Sequence, residues 1–180
     1  MRIIFKNRGF SIISDKIDNN RIYTVITNNP EETIELGKKL GNILNKGDLI
    51  AVNGELGTGK TCLIKGIAIG LKSREDASSP SFSIIKEYSA KIPIYHFDLY
   101  RLRKSEDIEE LGYEEYFYGE GITLIEWADK IENYLPEKLL LIEIFTDSDN
   151  VLNRKIIFQA RGERYKKIVK ELKSIENIGN

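Results

Sequence analysis

Gly54-Glu55-Leu56-Gly57-Thr58-Gly59-Lys60-Thr61 matches the pattern G-x-x-x-x-G-K-[ST]. An apolar run of strand length, Leu49-Ile50-Ala51-Val52, leads into it. The stretch that follows, Cys62 to Leu71, is apolar at 63/64, 67/68 and 71, which is helical spacing. Strand, glycine-rich loop and helix in that order are the context in which this pattern cradles phosphate. Glycines let the backbone curl until successive N–H groups point at one anion. The positive end of the following helix faces the same anion. Nucleotide contacts are therefore expected from Glu55, Leu56, Gly57, Thr58, Gly59, Lys60, Thr61 and Cys62. The Lys60 ammonium is expected on the β- and γ-phosphates, and the Thr61 hydroxyl on Mg²⁺. The Cys62 side chain itself reads as a small packed residue.

Working outward, Tyr23-Thr24-Val25-Ile26 reads as a short strand. Asn29 as N-cap, Pro30 at the first helical position and Glu31 and Glu32 in the first turn start a helix. It is expected to run to about Leu44 with Thr33, Leu36, Leu40 and Leu44 on one face. Gly37 and Gly41 weaken it and point to a backbone packed close against it. Asn45-Lys46-Gly47-Asp48 spells N-K-x-D, a guanine-reading motif, but it precedes the phosphate loop and no D-x-x-G accompanies it. The match is accidental, and adenine is the expected base.

Beyond the loop helix, Ser78-Ser79-Pro80-Ser81-Phe82 is a break carrying hydroxyls. Residues 83–88 and 92–100 form an expected antiparallel strand pair, with Tyr95, Phe97 and Leu99 on one face and His96, Asp98 and Tyr100 on the other. Residues 105–112 are a short helix stopped by Gly112, and 114–117 another helical turn. Strands are expected over 121–127, 139–145 and 154–160, and an amphipathic helix over 164–175. Residues 1–20 carry short apolar pieces that fit either a hairpin or a loosely held arm, with a turn at Asp18-Asn19-Asn20.

The bulk composition bounds the function. A chain of 180 residues, 41% hydrophobic and 31% charged, fits one soluble globular domain. A single cysteine rules out an intramolecular disulfide. No apolar run approaches the ~20 residues that span a bilayer, and charges interrupt the first 20 residues, so no membrane association and a cytoplasmic location are expected. The net charge is −1, but residues 105–137 hold eleven acidic and one basic side chain while 151–180 hold eight basic and three acidic. The acidic stretch reads as a solvated face. The basic one fits either a solvated face or a patch near nucleic acid.

A phosphate loop needs a carboxylate to complete the metal shell. Glu126 ends the buried-type strand Ile122-Thr123-Leu124-Ile125 and is expected on Mg²⁺ or its waters. Asp98, on the polar face of its strand, is expected to orient water or a metal ligand; an ion pair with Arg101 or Arg103 is the structural alternative. Lys60, Asp98 and Glu126 are the expected catalytic residues. His96, the single histidine, reads as a hydrogen-bonded structural imidazole, and Trp127 as a partly exposed neighbour of the site.

With Gly54–Thr61, Ser79-Pro80-Ser81-Phe82, His96-Phe97-Asp98-Leu99-Tyr100-Arg101-Leu102 and Ile125-Glu126-Trp127 in this order, the chain resembles the TsaE family, bacterial ATPases of tRNA threonylcarbamoyladenosine synthesis. The resemblance runs from about Tyr23 to about Pro136 and more loosely to the end. It implies an α/β fold, a three-layer P-loop NTPase-like architecture with a mainly parallel central sheet and an antiparallel strand pair. Residues 1–20 then form an N-terminal extension and 21–180 a single P-loop ATPase domain. It implies slow hydrolysis of ATP to ADP that drives turnover of a complex of TsaB and TsaD homologues, which modifies adenosine 37 of tRNAs reading ANN codons. By resemblance Thr61 and Glu126 carry Mg²⁺, Asp98 serves catalysis, and Thr33 lies near the nucleotide. The looser C-terminal match leaves open a nucleotide contact near Asn153 and Arg154, and tRNA contact, direct or indirect, by the basic stretch. Against the family pattern, Ser81 and Cys62 each replace a threonine, and Thr58 stands where alanine is common. Two rival classes are a free-standing small-molecule kinase, kept alive by Arg101 and Arg103, and an assembly factor gated by nucleotide binding alone.

Overall fold

The computed structural model describes residues 6–7, 10–11, 21–75, 83–147 and 150–178. The Ser78–Phe82 break, the turn at 18–20 and all of residues 1–20 but 6–7 and 10–11 lie outside them; the elements expected from residue 21 onward are otherwise present. A two-residue ladder joins β1 (Lys6–Asn7) to β2 (Phe10–Ser11). The main sheet has seven strands: β3 (Ile22–Thr27), β4 (Leu49–Gly54), β5 (Ile85–Tyr88), β6 (Ile94–Asp98), β7 (Ile122–Glu126), β8 (Leu139–Thr146) and β9 (Arg154–Arg161), in the order β3-β9-β8-β4-β7-β6-β5. The central run β8-β4-β7-β6 is parallel. The expected antiparallel pair β5–β6 closes one edge, and β9 and β3 add two further antiparallel ladders at the other.

The phosphate-loop strand β4 is central and buried on both faces, which is why it reads as an unbroken apolar run rather than an alternation. On one face lie α1 (Pro30–Gly41), α2 (Lys60–Gly70) and α4 (Glu163–Ile178), burying Leu40, Leu63, Ile67 and Ile168 against Ile50, Val52, Leu124 and Phe158. The other face is covered differently. There the layer is built from α3 (Tyr113–Phe117) and 3-10 segments at 99–101, 105–111 and 128–134, with Ile108, Phe117 and Ile131 over Leu49, Ala51, Phe97 and Ile125. The three layers therefore differ in kind, one cover being of long helices and one of short turns.

Asn29 caps α1 as its sequence position predicts, its side chain accepting the Glu32 N–H at 2.8 Å. The helix stops at Gly41 rather than Leu44, because the last bonds tighten to Ile43 N–H on Leu40 O at 3.0 Å and Leu44 N–H on Gly41 O at 3.4 Å. The close packing that Gly37 and Gly41 suggested is with α2. A Cβ on Gly37 would come within 2.3 Å of Leu63 O, and one on Gly66 within 2.1 Å of Ile34 O. Glycines on both helices let the two backbones touch, and α2 is thereby fixed with its N-terminus at the loop.

One strand boundary also differs from its pattern. β6 ends at Asp98, whose carboxylate accepts the Tyr100 N–H at 3.1 Å and starts a 3-10 turn. Tyr100 therefore leaves the His96/Asp98 face and turns outward, 51% exposed.

Candidate functional site

The loop between β4 and α2 is built on left-handed backbone. Gly57 has φ 79° and Gly59, the N-cap of α2, φ 97°, values that a side chain would oppose. Glu55 and Leu56 are exposed at the loop's outer turn, while Thr58 is buried and donates its hydroxyl to Glu55 O at 2.9 Å. The Lys60 ammonium folds back into the loop, donating to Gly54 O and Glu55 O, each at 2.8 Å. The Trp127 ring covers it, with the nitrogen 3.7 Å from the ring centroid. Burial pushes the Lys60 ammonium below its ordinary range, and the charges of Glu126, Asp98 and Asp129 push it back up. Cys62 is half-buried behind the loop with a free thiol.

Parallel pairing of β6 and β7 sets Asp98 directly beside Glu126, so both expected carboxylates sit at the same end of the sheet as the loop. The Thr61 hydroxyl donates to Glu126, 3.0 Å from Oε1 and 3.1 Å from Oε2. Glu126 is only 2% exposed; it is a buried carboxylate with polar partners, not a surface strand end. His96, fully buried, reaches Glu126 Oε1 with Nε2 at 3.0 Å, while its Nδ1 lies 3.2 Å from the Tyr88 hydroxyl. The single histidine is hydrogen-bonded, as its pattern suggested, but the partner is a candidate metal ligand. A hydroxyl and a carboxylate converging here are hard oxygen donors of the kind Mg²⁺ takes. Among the described residues no group of three or more His, Cys, Asp or Glu is arranged to hold a metal. The Thr61 hydroxyl and Glu126 carboxylate fit an ion that draws one or two protein ligands and completes its shell with phosphate and water.

Thr33 is buried where α1 meets the end of β3, its hydroxyl 2.7 Å from that of Thr27. Thr27 in turn pairs with Arg154 across the β3–β9 ladder. Arg154 is the residue whose place the sequence left open. Its guanidinium donates to Thr58 O at 2.9 Å and to Gly57 O at 3.3 Å, and also to the carbonyls of Val151 and Asn153. It braces the loop from outside, and no spacing in the sequence announces this.

Trp127 carries a second feature with no sequence signal. Its φ of 60° is left-handed, a strained state for a bulky residue that costs about 1–3 kcal/mol. Three bonds hold it: its N–H donates to Val52 O at 3.0 Å, its carbonyl accepts Lys130 N–H at 3.1 Å, and Asn53 Oδ1 accepts Asp129 N–H at 3.0 Å. Tyr100 packs on the indole with ring centroids 5.2 Å apart. With the backbone in this state, the ring lies over Lys60.

A glycine-rich loop between a central parallel strand and a helix N-terminus, with a Lys-Thr pair and a strand-end carboxylate beside it, is the phosphate-binding site of a P-loop nucleotide-binding protein. Residues 27–156 match the family described as threonylcarbamoyl adenosine biosynthesis protein TsaE. The chain is 43% identical over 155 residues to tRNA threonylcarbamoyladenosine biosynthesis protein TsaE of Bacillus subtilis, which covers 86% of this chain and 96% of that protein. It is 34% identical to the Treponema pallidum protein of the same name over 131 residues, 73% of this chain and 96% of that one. The crystal structure of Bacillus subtilis YdiB superposes with a TM-score of 0.76 at 39% identity, covering 87% of this chain and 97% of that one. The chain belongs to the TsaE family. Among the described residues no helix is long and apolar enough to cross a membrane.

Proposed function

We propose that this protein is the ATP-hydrolysing subunit of tRNA threonylcarbamoyladenosine synthesis, the process named in its relatives. The observation that carries the reading is the Thr61–Glu126 contact beside a buried Lys60. In this reading the loop N–H groups and Lys60 hold the β- and γ-phosphates of ATP. Lys60 exchanges its bonds to Gly54 O and Glu55 O for phosphate oxygens. Thr61 and Glu126 hold Mg²⁺, which when bound neutralises charge on the phosphates. Asp98, one strand away at the same height, orients the attacking water. ATP turnover drives a complex of TsaB and TsaD homologues acting on adenosine 37 of tRNAs that read ANN codons.

The segment after Trp127 supports hydrolysis over transfer to a small acceptor. Residues 128–134 pack with Ala128 and Ile131 buried, and Lys130 donates to the carbonyls of Tyr100 and Leu102. A kinase would need cations there, free to close over an acceptor. The test is a reconstituted modification reaction with TsaB and TsaD homologues, comparing wild type with Glu126→Ala. Loss of multiple turnovers with retained ATP binding is expected. A variant that binds ATP, fails to hydrolyse it and still supports repeated turnover would leave gating by nucleotide binding as the function.

A further inference from the structure

The buried chain Tyr88–His96–Glu126 runs from the edge strand β5 through β6 to the end of β7. Tyr88 and His96 are both 0% exposed. Their neighbours on that face, Ile94, Ile122 and Leu124, are apolar. An imidazole in such a layer is costly unless both ring nitrogens are satisfied, and a leucine would pack there without that demand. The polarity is spent in one direction. A carboxylate only accepts, so Nε2 carries the proton and donates to Glu126 Oε1. Nδ1 is then an acceptor, and the Tyr88 hydroxyl donates its hydrogen bond to it. Glu126 thus selects the tautomer, Tyr88 satisfies the other ring nitrogen, and the ring supplies one fixed donor to one named oxygen of Glu126. Thr61 approaches both oxygens, so without His96 nothing in this network distinguishes Oε1 from Oε2.

We propose that His96, held by Tyr88, is a positioning residue that sets the rotation of the Glu126 carboxylate and so its affinity for Mg²⁺. The proposal rests on the reading of Glu126 as a metal ligand. Partners one bond behind a metal ligand typically change metal affinity about 10–100-fold when removed.

The experiment measures equilibrium binding of a fluorescent ADP to the full chain, with and without Mg²⁺. His96→Leu should raise the Mg²⁺ concentration for half-saturation about 10–100-fold while binding without Mg²⁺ is unchanged. His96→Gln, whose side-chain amide can donate to the same oxygen, should recover most of the loss. Tyr88→Phe keeps the ring, removes one hydroxyl and should give an intermediate shift. A folded His96→Leu with unaltered Mg²⁺ dependence, alongside a Glu126→Gln that does shift it, overturns the positioning role alone. Glu126→Gln with no shift overturns the metal reading beneath it. Should His96→Leu not fold, Tyr88→Phe decides, and an unchanged Mg²⁺ requirement in it overturns the proposal.

Discussion

At the scale of single residues, Lys60 shows how much a motif can and cannot say. The pattern marks it as the candidate phosphate lysine, but does not say that its ammonium rests on two loop carbonyls under Trp127. Lys60→Ala should lower ATP hydrolysis about 10²–10³-fold, the usual cost of losing one charge-stabilising donor; steady-state phosphate release measures it. Since Trp127 is the chain's single tryptophan, its fluorescence should change when nucleotide draws Lys60 away, and a flat titration would place the phosphate elsewhere. Arg154 is the opposite case, found only in three dimensions. Arg154→Ala should weaken ADP binding by about 1–2 kcal/mol through loss of donors to the Gly57 and Thr58 carbonyls. Arg154→Lys should not rescue it, because one ammonium cannot replace a planar fork; calorimetric titration of the three proteins distinguishes them.

At the scale of elements, the α1–α2 pair is the most constrained contact. A Cβ at Gly66 would stand 2.1 Å from Ile34 O, and backbone cannot yield as a flexible side chain can. Gly66→Ala should destabilise by about 1–3 kcal/mol, and at about 2–4 °C per kcal/mol for a chain of this size calorimetry should read a clear fall in Tm. The start of α1 responds to pH instead. Glu32 accepts the Asn28 N–H at 2.8 Å, and this bond first, then those from the Asn28 and Asn29 side chains, holds its carboxyl below the ordinary range. A depressed folded-state value means its contribution is present above the ordinary carboxylate range and is lost as pH falls through the lowered value. The acid limb of a pH–Tm curve should therefore be shallower in Glu32→Gln than in wild type. Element identities were legible here because caps, glycines and apolar periods are local. Ends were less so: α1 stops early and β6 turns at Asp98, both through hydrogen bonds that a period does not encode.

At the scale of the whole molecule, the two ends of the sheet serve different purposes. Asp48, the last residue of the misleading N-K-x-D, lies at the start of β4, the far end from the loop. It is buried and receives Arg164 in a two-pronged pair, Nε to Oδ1 at 3.0 Å and Nη2 to Oδ2 at 2.7 Å, which ties α4 to the centre of the sheet. Asp48→Ala should cost about 1–3 kcal/mol, since it strands buried donors although Arg164 keeps some access to water. The KM for ATP should stay put, as the change falls one strand length, about 17 Å, from the loop. A raised KM with unchanged Tm would contradict this division.

The sequence alone determined the glycine-rich loop, its flanking strand and helix and the pairing of β5 with β6, because each is written in adjacent positions. Tertiary structure alone decided the strand order, the antiparallel β3–β9–β8 edge, the turn-built second cover, the Arg154 brace, the strained Trp127 and the Tyr88–His96–Glu126 chain. Each of these joins residues far apart in the chain, through registers and crossovers that no local pattern specifies. The physical difference is that a loop shapes its own backbone, whereas a carboxylate's direction is set by whatever the folded sheet brings beside it.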